Sequence, residues 1–341
     1  MAAPEGGAGA GRDRIVFLVR GGESVPSCRF RAYQYREPLR ELGADPEYII
    51  LEKSRNPLRQ IAFHLSLIPR LAGARAVVFQ KLLEPGRLRF LRLFNRNLFF
   101  DFDDAMYAAP DGARFYATMR AAPRIIAGNP ILAARAARHN PAVSIVPTVV
   151  PLPEPVPAAP RSGGFVLSWI GTAANLKYLD LLLPVLDGWS ERGADFRLRI
   201  LTEKPDQAPR RPWIEAMAWS REAEEREFRA CDAGLMPLED SEWARGKCAC
   251  KALQYLSYGK PVVVSPVGVN AELFADKPFA SLATDPTEWD RALTQWRDDP
   301  EARARAAVEG REFVKAHFEV KAWAGRLLGL LLGKDGARDG A

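Results

Sequence analysis

Short apolar runs alternate with longer amphipathic stretches along almost the whole chain, and that rhythm restricts the fold more than any other feature. In the first half, residues 14–19, 48–51, 76–79, 98–102, 124–127 and 143–146 read as strands. The stretches between them, 29–42, 57–71, 87–94, 113–121 and 131–138, read as helices. Strands separated by helices form βαβ units, which build a parallel sheet covered on both faces. The rhythm breaks at residues 151–160, where five prolines in ten residues rule out a helix or a central strand and predict a stiff, extended linker. Beyond it the alternation restarts: strands at 165–170, 196–201, 233–237 and 261–265, helices at 179–189, 221–229 and 251–258, and mostly helix to about residue 332. The expected architecture is α/β, with two doubly wound domains facing each other across a cleft. The expected boundaries are a tail at 1–12, a first domain at 13–150, a linker at 151–162, a second domain at 163–332 and a tail at 333–341.

A chain of 341 residues has room for two domains of roughly 100–200 residues each. Its 48% hydrophobic and 26% charged residues are ordinary for globular proteins. No apolar run approaches the roughly 20 residues that a membrane span needs, and no cleavable signal is visible, so a cytoplasmic protein is expected. Four cysteines (Cys28, Cys231, Cys248, Cys250) suit a reducing compartment. Cys248 and Cys250 form a C-x-C without a second pair at metal-ligand spacing, so they are read as small residues in a packed helix and no metal is expected. The net charge of +6 is uneven. Between Lys53 and Phe100 ten Lys/Arg face one acid, Glu84, among many large apolar residues. Such a stretch suits an anionic membrane surface or an acidic acceptor; a plain solvated basic face is the competing reading. Nucleic acid is not an expected partner.

In open α/β sheets ligands bind beyond the carboxyl ends of the strands, so four loops carry the candidate chemistry. Arg20-Gly21-Gly22-Glu23 follows the first strand, and its glycines would let backbone approach a ligand or simply turn. In Phe100-Asp-Phe-Asp-Asp-Ala105, the three carboxylates of Asp101, Asp103 and Asp104 could orient sugar hydroxyls, accept a proton or hold a divalent ion; a helix cap by Asp103 or Asp104 is the alternative. Strand alternation would put Asp101 and Asp103 on one face and Asp104 on the other. Gly171-Thr172 ends a strand ahead of a helix whose N–H groups could hold a phosphate, with Lys177 close by. The fourth segment, residues 236–270, places Arg245-Gly246-Lys247 where a helix is expected to begin; two cations there oppose the helix dipole, which argues for an anionic ligand.

The segment MPLEDSEWARGKCACKALQYLSYGKPVVVSPVGVN resembles the donor-binding segment of the group 1 glycosyltransferases, family GT4, which are retaining enzymes of GT-B architecture with two Rossmann-like domains. RFRAYQYREPLRELG, FDFDDAMY, IIAGNPILAARAARHN, VPTVV and WIGTAANLKYL match the same subgroup in order, so the resemblance spans roughly residues 14–330. It implies a hexosyltransferase that carries a sugar from a nucleotide-sugar co-substrate to a glycan or lipid-linked acceptor, without a metal cofactor. A setting in cell-envelope polysaccharide or glycolipid synthesis follows, with a peripheral position at the inner face of the membrane as one version. Lys177, Arg245 and Lys247 would contact the donor diphosphate. Gly171, Thr172, Gly246, Lys251, Val267, Gly268, Val269 and Asn270 would complete the donor site, with Gly21 and Gly22 facing the transferred sugar. Asp103 or Asp104 would sit near the acceptor or the reacting carbon, and Arg245 and Lys247 would stabilise the leaving diphosphate. The family's glutamate pair is replaced by Gly246 and Gln254, and Gln254 can still hydrogen-bond a ribose hydroxyl. The rival readings are a catalytically inactive GT-B module that binds a nucleotide sugar and docks on a membrane or partner, and an epimerase or phosphorylase on the same architecture.

Overall fold

The structure, a computed structural model, describes residues 12–51, 56–155 and 163–334. Residues 1–11, 52–55, 156–162 and 335–341 lie outside it, and with them most of the two expected tails, Lys53 and Arg55 of the basic stretch, and the second half of the linker. The first sheet contains β1 (Asp13–Val19), β2 (Ala44–Ile50), β3 (Ala76–Gln80), β4 (Leu98–Phe102), β5 (Arg124–Ala127) and β6 (Val143–Ile145). Its order is β2-β1-β3-β4-β5-β6, and every pair is parallel. The second contains β7 (Phe165–Ile170), β8 (Phe196–Thr202), β9 (Ile214–Ala218), β10 (Ala233–Met236), β11 (Val262–Val264) and β12 (Ala280–Leu282). Its order is β12-β11-β10-β7-β8-β9, again all parallel. The α/β class and the two doubly wound, Rossmann-like domains of the GT-B architecture are thus present.

The central strands are apolar on both faces because helices cover both faces. Val16 and Leu18 of β1 join one core with Val77, Phe79 and Phe100. Ile15, Phe17 and Val19 join another with Val78 and Phe99 on the opposite side of the same sheet. That is the period-two alternation of a strand. In the second domain β7, β10 and β11 are buried throughout and share one core with Trp189, Tyr255 and Trp289.

Three expectations change. The single helix expected over 29–42 is three pieces: Pro26–Arg31, a 3-10 turn Tyr33–Tyr35, and Arg36–Glu41. Ala32 leaves the helical region (φ −135°), and Pro38 has no N–H with which to continue a helix from Gln34. Edge strands β9 and β12 carry too weak an apolar pattern to be read. The last helix, Val320–Leu332, does not belong with the second domain. Ala324, Leu327 and Leu331 pack into the first domain's core, and Asn97 Nδ2 donates to the Leu331 carbonyl (2.7 Å). The chain therefore crosses between domains twice, at 151–155 and again where Val150 bridges Glu319.

Candidate functional site

Each sheet has a point where strand order reverses, between β1 and β3 in the first domain and between β7 and β10 in the second. Crevices outside such points are where α/β sheets bind ligands, and here the loops of the two domains meet.

On the first domain's wall, Lys81 follows β3, and Asp103 and Asp104 follow β4. The Lys81 ammonium lies 2.9 Å from Asp103 Oδ1 and also bonds Asp104 Oδ2. Because β4 ends at Phe102, Asp104 does not turn to the opposite face; both carboxylates converge on one cation. Neither caps the following 3-10 turn Met106–Ala108. Burial alone would lower the Lys81 pKa, but the two aspartates outweigh it and hold it above the usual lysine range. Burial likewise opposes ionisation of Asp103, yet Lys81 and then Arg31 keep its carboxyl below the usual range. Beneath this cluster Asp101 is buried against Arg31, whose Nη1 also donates to the Val146 carbonyl (2.7 Å). That bond and the one from Gln34 Nε2 to the Val149 carbonyl (3.0 Å) explain why RFRAYQY and VPTVV go together.

On the second domain's wall, Lys177 and Lys247 both approach the Tyr178 ring, with their ammonium groups 5.3 and 6.0 Å from its centroid. Among the described residues no carboxylate comes within 4.0 Å of either ammonium. Burial pulls the Lys247 pKa below its usual range; Asp104 and Asp103 raise it only in part, and Lys81 adds to the depression.

The seam between the walls is tightly specified. Asn129 caps the helix Pro130–Ala137 through its Oδ1, while its Nδ2 donates to the Gly246 carbonyl across the seam (3.0 Å). A Cβ on Gly246 would lie 2.5 Å from Ala105 Cβ, and one on Gly128 would lie 2.8 Å from Cys248 Sγ. Cys248 Sγ in turn donates to the Asp103 carbonyl (3.2 Å). Burial pushes the thiols of Cys248 and Cys250 up to about 12, so both are un-ionised packing residues at neutral pH. No group of three or more His, Cys, Asp or Glu side chains at metal-holding geometry occurs among the described residues.

Several expected site residues have other occupations. Arg245 does not begin a helix. It ends the one-turn helix Glu242–Arg245, while the next helix, Cys250–Ser257, starts beyond Lys247. A cation is favourable at a helix carboxyl end, so the helix dipole calls for no anion there. The exposed Arg245 guanidinium is gripped at both ends by Asp240 (2.6 and 2.7 Å). Lys251 is paired with buried Glu224 (2.6 Å), which also binds Arg29 of the first domain (2.8 Å). At the start of the 3-10 helix after Thr172, the Ala173 amide donates to the Glu203 carboxylate (3.1 Å), so the anion held there is the chain's own. Neither Gly21 nor Gly22 takes a positive φ; Gly171 is where the Trp169 ring leaves no room for a Cβ (2.5 Å). Gly268 has φ +61° and would drive a Cβ to 2.3 Å from the Arg245 carbonyl, so it fixes the Arg245 turn. Asn270 Nδ2 ties back to the Ser265 carbonyl (3.1 Å), with Val267 and Val269 buried beside it. Gln254 is buried next to Cys250. Sequence reading missed Lys81, Arg31 and Glu224; the one available signal was that Lys81 directly follows an apolar strand.

Residues 193–329 match the family model described as glycosyl transferase-like. No curated protein matches the chain in sequence. Among solved structures, sucrose-phosphate synthase from Thermosynechococcus elongatus superposes with a TM-score of 0.70 at 15% identity, covering 95% of this chain and 100% of that one. Anabaena HepE, solved with UDP and glucose, gives 0.68 at 13% identity over 94% and 100% of the two chains. A glycosyltransferase from Rickettsia africae gives 0.72 at 11% identity over 96% and 100%. The chain thus joins a glycosyltransferase-like C-terminal segment to a complete GT-B fold, as its resemblance to the group 1 glycosyltransferases implied.

Proposed function

We propose that the protein is a retaining glycosyltransferase that moves a hexose from a nucleotide-sugar donor to a glycan or lipid-linked acceptor. The observation that carries this reading is the pair of cations without carboxylate partners, Lys177 and Lys247, at the β7/β10 crevice, facing a carboxylate pair on the other wall. A donor diphosphate would satisfy the cations, and their charge would stabilise the negative charge that grows as the sugar–phosphate bond breaks. The leaving phosphate would take the acceptor proton on the same face, so the route needs neither a protein nucleophile nor a metal. Arg245 becomes a secondary contact, able to reach a phosphate only by leaving Asp240. Uridine diphosphate is the first nucleotide to test, since HepE was solved with it.

A membrane-associated acceptor is supported by the first domain's outer face. The helix Pro57–Ala72 exposes Leu58, Ile61 and Leu65, and Leu93 is exposed nearby. Ile61, His64 and Leu65 line a groove of about 430 Å³ with Arg87 and Phe90. Arg59, Arg89, Arg92 and Arg96 are exposed in the same stretch. No helix among the described residues is long and apolar enough to cross a membrane, so contact would be with its surface.

The deciding experiment is a thermal-shift panel of nucleoside diphosphates and their sugar conjugates, with Lys247→Ala as control. A bound ligand at 100 times its dissociation constant adds about 2.7 kcal/mol. A selective shift lost in the variant supports the donor site; selective binding without turnover would favour the inactive module.

A further inference from the structure

We propose that Lys81 is a positioning residue that holds Asp103 and Asp104 as one fixed anionic pair opposite Lys247, so that a carboxylate is presented to a hydroxyl of the acceptor beside the reacting one. The inference rests on the transferase reading above and adds a residue that no sequence motif marked.

Three observations carry it. The first is the contact itself: the ammonium of Lys81, a residue 8% exposed, serves two carboxylates from the neighbouring strand's loop. An ammonium offers three N–H donors at tetrahedral angles to one another, so two carboxylates engaged by one held ammonium are set in position relative to each other. The second is backbone conformation. Lys81 has φ +52°, one of three non-glycine residues with positive φ among those described. A residue with a Cβ is disfavoured there, and such strain persists only where the surroundings enforce it. Here the Lys81 amide donates to the Asp101 carbonyl (2.8 Å), turning the side chain at the end of β3 toward the aspartates. The third is location: Lys81 follows β3, beside the reversal of strand order where this sheet would bind a ligand.

The charges around the pair assign the division of labour. Arg31 is already committed to Asp101, and Cys248 faces Asp103 as a neutral thiol. Lys247 stands on the opposite wall without a carboxylate in contact. Lys81 is therefore the cation in contact with both Asp103 and Asp104. An acceptor hydroxyl beside the reacting one, donating to one of these carboxylates, aims the reacting oxygen at the donor, while the reacting hydroxyl's own proton departs with the phosphate.

The test uses the full-length protein with the donor identified by the panel. Lys81→Met should lower kcat about 10²-fold, the scale of a substrate misplaced by about an ångström, and leave donor affinity unchanged. It should also raise the titration midpoint of the Asp103 carboxyl by a unit or more, followed by carbon-detected NMR and assigned with Asp103→Asn. The acid limb of the rate profile should rise with it. Because Lys81→Met leaves Asp101, Asp103 and Asp104 with Arg31 beneath them and Lys247 across the cleft as their nearby cations, it is also made in Asp104→Asn, which removes one charge of each sign; there it should cost at least a further tenfold. Unchanged kcat in either background, or an unmoved Asp103 titration in folded protein, would overturn the proposal while leaving the transferase standing. Nucleotide binding by the wild-type protein with no transfer to any acceptor would instead overturn the transferase reading and the acceptor role together.

Discussion

The two walls of the cleft treat charge in opposite ways. On the first domain, the buried charges beneath the crevice pair with one another: Arg31 with Asp101, and Lys81 with Asp103 and Asp104. On the second, Lys177 and Lys247 have only a tyrosine ring between them. Lys177 is exposed and Lys247 half-buried; desolvation without a counter-ion is costly, and it already draws Lys247 below its usual pKa range. The first wall is pre-organised; the second is a charge imbalance that a polyanion would relieve. On the proposed reading that difference separates the roles: the paired wall would orient a neutral hydroxyl, and the unpaired wall would take the diphosphate.

The comparison can be broken in graded steps. Lys247→Ala removes the half-buried cation of the second wall and should cost about 10²–10³ in turnover, as loss of a transition-state charge contact does; initial rates with the identified donor measure it. Arg245→Ala removes an exposed cation already held by Asp240 and should cost roughly tenfold or less. Rates that fall equally in both variants would restore Arg245 to the centre of the site.

The seam holding the walls in register can be loosened independently. Glu224→Gln strands Arg29 and Lys251 and should destabilise the protein by about 3–5 kcal/mol, read as a lower unfolding midpoint. Burial works against the Glu224 carboxylate, but Lys251 and Arg29 bring its pKa down to about 2 from an ordinary 4.5. A depressed carboxylate stabilises fully above its unfolded pKa and loses that contribution as pH falls through the folded one. The stability gap between wild type and Glu224→Gln should therefore be constant above about pH 5 and shrink below it. A gap indifferent to acid would show that Glu224 is not the charged link. The smallest effect belongs to the outer face: replacing Leu58, Ile61 and Leu65 with serine should weaken binding to anionic vesicles at low salt without altering transfer to a soluble acceptor. Vesicle binding that ignores lipid charge would remove the membrane proposal.

The sequence made the architecture legible because the central strands are unbroken apolar runs, such as Phe165–Ile170, and the proline segment marks the first crossing. Edge strands Ile214–Ala218 and Ala280–Leu282 escaped because they are short and only partly buried. The returning helix Val320–Leu332 is an ordinary amphipathic helix, and nothing in it announces which domain it will cover. For the site, Asp103, Asp104, Lys177 and Lys247 could be picked out as charges in loops after strands. Whether each is already occupied could not. Lys81 meets its aspartates only because β3 and β4 are neighbours, and Lys251 meets Glu224 only because two helices pack together. Asp240 lay within the motif itself, but pairing with Arg245 depends on a one-turn helix that residue spacing alone did not specify.

The most direct measurement is calorimetric titration of uridine diphosphate, and then the other nucleoside diphosphates, into wild-type protein, Lys247→Ala and Lys81→Met. If the second wall is the anion site, one nucleotide binds the wild type, Lys247→Ala weakens it tenfold or more, and Lys81→Met leaves it unchanged. Equal affinity in wild type and Lys247→Ala, or a loss confined to Lys81→Met, would contradict the assignment of roles to the two walls.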